Sequence, residues 1–504
     1  MLWKERDTNS SSNQAVSCLI YLIYKRGKHI LRKLLILALL ILLITAIHLP
    51  TVDASESSES AIYEVRKEYV IKNYGQNQAL EENVSFYLLD NREIIGQQIL
   101  SENIEVEGSY KGIQIYATED NRRARVVGLD SMDPGETKTV EVTYILKVDS
   151  VPQIDPELVG NTHPSSVDKF TKAVEGIWNS NDSRIRDKAH ELTKNENNYW
   201  YKAKRIFDFV QEHLKYKPQS VVQDDIWAYL NKEGDCSEYA FLFISLARAA
   251  EIPTKFVGGY LYSFAEAEAS PTGLANYGHA FALVYLPKVG WIPVDPTESS
   301  QGGGWYFAEL PVNHIVELTS DGSNLRVGET SETPPPDVHW TQYSGQGTTV
   351  DFVDEETKVD IIPLVAIDPT IYPSDKAEDS TWSFRVKVKN WGSQSISNVK
   401  VKLQVDNAYF EAPGSEDLGT INPGTPAYAS FDVHVKKSVE NSPITAVVTY
   451  DAGKYDSFIA RETIPATAEL AQPPYGLPLS LPMIMILATI VAGIIVGAAV
   501  ILRR

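Results

Sequence analysis

The residues best suited to chemistry are Cys236, His279 and Asp295. Cys236 stands in Gly234-Asp235-Cys236-Ser237-Glu238, just before an apolar run containing Tyr239, Leu242, Phe243 and Leu246. Asp235 and Glu238 have the spacing of a capping box, with Asp at the N-cap, so a helix is predicted to begin at Cys236. The N–H groups and positive dipole end of a helix start favour thiolate over thiol. They also suit an oxyanion formed during acyl transfer. Gly234 lets the chain turn tightly into the helix. The plain alternative is a cysteine packed under the first turn, because a lone cysteine is more often a small apolar core residue.

A thiolate nucleophile needs a base, and the base needs an orienting group. His279 opens the strand-like HAFALVYL, and Asp295 closes WIPVDP. With Pro287-Lys288-Val289 as a three-residue hairpin loop, Leu286 faces Gly290, Phe281 faces Asp295 and His279 faces Thr297. His279 and Asp295 then share a face as diagonal neighbours, about 7–8 Å apart at the backbone. A two-residue turn would put them on opposite faces. Taken singly, His279 reads as a satisfied half-buried histidine and Asp295 as a turn residue before Pro296.

The elements that must position these groups follow from pattern. Residues 201–214 place Ile206, Phe207 and Val210 at helical spacing, and 225–230 suggests a shorter helix. A third helix begins at Cys236, and the strands TKFVGGYLY, HAFALVYL and WIPVDP follow. Helices followed by strands indicate an α+β domain over 160–320. Before it, 55–155 reads as short strands between turns, a β-sandwich. After it, 321–358 contains Pro334-Pro335-Pro336 and reads as a linker. Strand patterns return over 359–470 as an immunoglobulin-like sandwich. The expected fold class is therefore multidomain: an α+β core flanked by N-terminal and C-terminal β-sandwich domains, with a C-terminal transmembrane helix.

The segments GDCSEYAFLFISLARAAEIPTKFVGGYLY and NYGHAFALVYLPKVGWIPVDPT resemble the transglutaminase-like superfamily. The continuation over 248–260, Arg-Ala-x-x-Ile-Pro-x-x-x-Val-x-Gly-Tyr, matches as well. The resemblance covers roughly residues 165–320. It implies a papain-like core, with Cys236 as nucleophile, His279 as base and acid, and Asp295 as orienter. It also implies attack on a protein or peptide amide, loss of amine or ammonia, and transfer of the acyl group to an amine or water. The architecture resembles prokaryotic surface proteins, archaeal ones especially. Acyl transferase, cysteine peptidase or amidase, and noncatalytic surface module all stand as readings. A further oxyanion donor is common in the family. Trp227 and Tyr229 are candidates for it, with core packing as the alternative.

Bulk properties narrow the partners. The chain has 504 residues, 43% hydrophobic and 22% charged, with a net charge of −20. That charge argues against general nucleic-acid binding, which needs basic stripes. Of the two cysteines, Cys18 lies before the first apolar segment, so a disulfide with Cys236 is not expected. Basic residues from Lys25 to Lys33 precede an apolar run over 34–47, a signal peptide or signal anchor within 1–54. Cleavage after Ala54 and retention both fit. Residues 477–502 form an apolar span ending at Arg503-Arg504, which places the C-terminus in the cytoplasm and the bulk of the chain outside the cell membrane. Gly493 and Gly497 have the small-xxx-small spacing of a span that pairs with a second copy.

No cofactor or metal is expected. No calcium-loop pattern occurs, and no Lys-Ser or Lys-Thr follows Gly302-Gly303-Gly304. Of Asp224-Asp225, the first reads as a surface residue and the second as a helix N-cap. Trp291 and Trp305 are candidates for the cleft wall, with burial as the alternative. His48 and His314 have no partner evident in the sequence.

Overall fold

The computed structural model describes residues 59–468, apart from 81, 119–120, 265–266, 268–275, 301–305, 324–338, 343–349, 354–357, 375–379 and 456. The two terminal apolar segments lie outside the described residues, with Cys18, His48, Gly493 and Gly497. So do Gly302-Gly303-Gly304, Trp305 and Pro334-Pro335-Pro336. Among the described residues no helix is long and apolar enough to cross a membrane.

The core is built around one buried helix. Four helices precede its sheet: α1 (Ser183–Thr193), α2 (Tyr199–His213), α3 (Asp225–Asn231) and α4 (Cys236–Ala249). Asp182, Asn198, Asp224 and Asp235 cap them in turn, each accepting from an N–H of its helix's first turn. Every residue of α4 from Ser237 to Arg248 is buried. A helix apolar on all sides belongs inside a core, and α4 packs under α1, α2 and α3 through Tyr239, Phe241, Leu242, Phe243 and Leu246. Each such side chain contributes roughly 1.5–3 kcal/mol when fully buried.

The polar residues of α4 are compensated. Ser245 donates to Asp225, which also accepts from the backbone and side-chain nitrogens of Asn179 at 2.9 and 2.6 Å. Asp225 is therefore a buried anchor and Asp224 is the N-cap, where a surface Asp224 and an Asp225 cap were expected. The pattern D-D leaves the cap ambiguous by one residue, and the inward-facing position decides it.

The sheet consists of β1 (Thr254–Tyr262), β2 (Asn276–Leu286), β3 (Gly290–Val294) and β4 (His314–Ser320), in the order β3-β2-β1-β4 and antiparallel throughout. The β2–β3 register pairs Leu286 with Gly290 and Ala282 with Val294, so the three-residue loop is as expected. Lys288 takes φ 73 within it and Gly290 φ 106, the local left-handed backbone that closes such a loop. At the other edge, β4 approaches β1 so closely that a Cβ on Gly259 would lie 2.1 Å from the Ile315 carbonyl.

Strand β4 would be an open edge, but N-terminal β-strands cover it. Gln97 donates to the Val316 carbonyl and accepts from the Val316 N–H, both at 2.8 Å. Asn121 does the same for Thr319, again at 2.8 Å. Glu317 sits in a register shift between Val316 and Leu318, and meets the buried Lys67 and the Tyr260 hydroxyl. Side-chain amides here replace the next strand of a ladder.

The N-terminal β region has a long strand, Ser60–Asn73, paired along one side with Thr137–Asp149. Its other side takes Lys358–Val365 and Val350–Phe352. A second sheet includes His339–Gln342 against Glu82–Leu88. The stretch expected as a linker over 321–358 thus supplies strands to the N-terminal sheets, and Lys358–Val365 belongs there and not with the C-terminal strands. Alternation marks Lys358–Val365 as a strand without saying which free edge it joins, and His339–Gln342 and Val350–Phe352 are too short to stand out from a linker. The C-terminal strands, Ile367–Pro373 to Ser457–Ala468, form two four-stranded antiparallel sheets over one apolar core.

Asn121→Ala should leave the Thr319 N–H and carbonyl buried without partners, at about 1–3 kcal/mol for each unsatisfied group. Urea unfolding should show a lower midpoint; an unchanged midpoint would contradict the clamp.

Candidate active site

Asp235 and Glu238 form a complete capping box. The Asp235 carboxylate accepts from the first turn of α4, and Glu238 accepts from the Asp235 N–H at 2.8 Å. Cys236 therefore occupies the first helical position and is half-buried. The cap itself engages the N–H groups of Ser237 and Glu238, so the first turn offers fewer donors to an oxyanion than its position alone suggests. Glu238 is itself buried and also accepts from the Gln223 N–H at 2.7 Å.

His279 lies in β2 with its ring buried. Its Nε2 meets Asp295 Oδ2 at 2.6 Å. Cys236 lies near enough to the ring to act on its pKa. Burial alone would push the His279 pKa down. The charge and hydrogen bond of Asp295, followed by Cys236, outweigh burial and hold it well above the usual range.

Asp295 has no exposure to water. Its Oδ1 accepts from the N–H groups of Thr297 at 2.9 Å and Glu298 at 3.3 Å, the first turn of α5 (Pro296–Ser300). Its own N–H donates to the Tyr306 carbonyl at 2.8 Å. Burial pushes this carboxyl up, but His279 and His314 together hold it well below the usual carboxylate range.

His314, which had no evident partner in the sequence, is the second histidine on Asp295. Its Nε2 is 3.2 Å from Oδ2, and its Nδ1 is 2.9 Å from Asn313 Oδ1. It comes from β4, two strands away from β2, and no local spacing links it to Asp295. Burial is the largest influence on His314 and keeps its pKa below the usual value, against the pull of Asp295. Among the described residues, His279, Asp295 and His314 are the set of ligand-type atoms within 4.8 Å of one another. At 2.6 and 3.2 Å both contacts on this single carboxylate oxygen are within hydrogen-bond reach, and each needs its proton on the ring nitrogen that faces the oxygen.

The described aromatic candidates make packing contacts. Tyr229 stacks on His213 at 5.1 Å, and its carbonyl accepts from His213. Trp227 packs against the main apolar core. Trp291 meets Phe170 at 5.1 Å and Tyr285 at 5.5 Å, with the Lys255 ammonium 4.7 Å from its ring. Each of these three reads as packing.

Residues 186–296 match the family model described as Transglutaminase-like superfamily. Uncharacterised protein YebA of Bacillus subtilis is 27% identical over 23% of this chain and 17% of its own length. An uncharacterised Haemophilus influenzae protein is 25% identical over 40% of this chain and 60% of its own. The matched stretches thus fall short of two thirds of either relative. Among solved structures, a protein from Cytophaga hutchinsonii provisionally described as a cysteine protease shares 16% identity, with a TM-score of 0.43, over 62% of this chain and 93% of that one. Red sea bream transglutaminase shares 10% identity, with a TM-score of 0.24, over 80% and 95%. At these scores neither structure bears on chemistry.

Glu238 gives a pH prediction. Burial raises its carboxyl to about 8, the Asp235 charge adds to this, and the Gln223 N–H opposes it. A folded pKa above the unfolded one gives stability that is full below the ordinary carboxylate range and lost as pH rises through about 8. Thermal unfolding should show wild type losing more stability than Glu238→Gln between about pH 6 and about pH 9. Equal losses would contradict this assignment.

Proposed function

For a chain whose core is transglutaminase-like, we propose thiol-dependent acyl transfer or hydrolysis on protein or peptide amides, with Cys236 as nucleophile, His279 as base and acid, and Asp295 as orienter. The observation that supports it most is the buried His279–Asp295 pair, 2.6 Å apart, with Cys236 near enough to act on the His279 ring.

In the proposed cycle the Cys236 thiol has passed its proton to His279, Sγ attacks the amide carbonyl carbon, and the electron pair moves to the oxygen. The N–H of Cys236 itself is the first-turn donor left for that oxyanion, since the cap engages those of Ser237 and Glu238. Collapse breaks the C–N bond, and His279 gives its proton to the leaving amine or ammonia. The product is a thioester on Cys236. A second amine, or water, then attacks that thioester while His279 takes its proton; the C–S bond breaks, and the thiolate with protonated His279 is restored. Asp295 stays ionised throughout and fixes the imidazole.

The chain's terminal apolar segments support an extracytoplasmic, membrane-anchored setting for this chemistry. A noncatalytic surface module is the second reading, and the presence of all three chemical groups, with His279 paired to Asp295 and Cys236 acting on the ring, disfavours it.

Incubation of the full chain with a glutamine-containing protein and a labelled primary amine should give label in the protein, or new peptide termini if water is the acceptor. Cys236→Ala should abolish both, and Asp295→Asn should lower turnover about 10²–10⁴-fold. Neither product from wild type across several protein substrates would favour the noncatalytic module.

A further inference from the structure

We infer that His314 is a positioning residue of the proposed reaction: it holds Asp295 Oδ2 in line with His279 by placing a second N–H on the same oxygen. The inference rests on the reading of Cys236 and His279 given above.

The Asp295 carboxylate is fixed from both ends. Oδ1 is committed to the Thr297 and Glu298 N–H groups. Oδ2 receives His279 at 2.6 Å and His314 at 3.2 Å. A carboxylate has about four acceptor sites, and these four contacts use them. Without His314, Oδ2 would keep one partner in a site with no exposure to water, where an undersatisfied charge is costly. The carboxylate would then relax by rotating, and the 2.6 Å contact that aims His279 would change with it.

His314 is built for a fixed role. Its ring is 2% exposed. It meets Phe281 edge-on with centroids 5.6 Å apart and His279 at 5.5 Å, while Tyr306 lies at 5.8 Å. A neutral ring has one N–H, and the ionised Asp295 is a stronger acceptor for it than the Asn313 amide oxygen, 2.9 Å from Nδ1. A histidine serving only as core filler would have no reason to direct its second nitrogen onto the oxygen already bound by His279. His314 reaches Cys236 only through Asp295 and His279, so it positions and does not itself transfer a proton to substrate.

The test is the rate of iodoacetamide alkylation at Cys236 in the full chain, followed by mass spectrometry on the Cys236 peptide so that Cys18 does not interfere. His314→Phe keeps the ring packing without an N–H. His314→Gln puts an amide N–H where Nε2 lies. The expected result is an about 10–100-fold slower rate for His314→Phe, the range seen when an outer partner of a reactive group is lost. His314→Gln should recover most of that loss, with melting temperatures alike for the two variants. A wild-type rate in His314→Phe would overturn the inference, and so would equal slowing in both variants. Should His314→Phe not fold, His314→Asn, too short to reach Asp295, takes its place with the same two outcomes. A wild-type rate no faster than that of His279→Ala would fail the underlying reading. A rate that depends on His279 but not on His314 would fail this inference alone.

Discussion

A carboxylate with no access to water needs a full set of N–H partners, and much of this molecule is arranged to give Asp295 that set. Two partners come from the start of α5, one from β2 and one from β4. None of them is an arginine or lysine. The compensating charge sits on His279, whose pKa lies well above its usual range because Asp295 is there. The pair is thus self-consistent: each group keeps its charge only while the other does. An isolated buried charge costs several kcal/mol, so the end of β3, the start of α5 and both histidines are constrained together.

The same constraint reaches the N-terminal strands. His314 belongs to β4, the edge strand of its sheet, and β4 is held by Gln97, Asn121 and Lys67 through its backbone and through Glu317. These contacts fix the backbone two residues and more beyond His314. The β region before the core is therefore a part of the support for Asp295, not a separate attachment.

Legibility in the sequence followed the distance over which each feature is determined. The start of α4 is set by Asp235 and Glu238, three residues apart, and was readable. The β2–β3 register is set by a three-residue loop, and it placed His279 beside Asp295 before any coordinates. His314 was not readable, because its approach to Asp295 depends on β4 pairing with β1 and on α5 folding back over the strand ends. The strands His339–Gln342, Val350–Phe352 and Lys358–Val365 were misassigned for a similar reason. The first two are too short to stand out from a linker, and the long strand Ser60–Asn73 that accepts the other two lies almost 300 residues earlier. The Asp224-Asp225 pair failed at the smallest scale, where a one-residue choice between cap and buried anchor is made by Asn179 and Ser245.

The account turns on Cys236 forming an acyl intermediate through His279. The most direct measurement is mass spectrometry of the full chain, acid-quenched after brief exposure to an activated acyl ester. The account predicts an acyl thioester on the Cys236 peptide, released by hydroxylamine and formed far more slowly in His279→Ala. No adduct at Cys236, or one formed equally fast without His279, would contradict it.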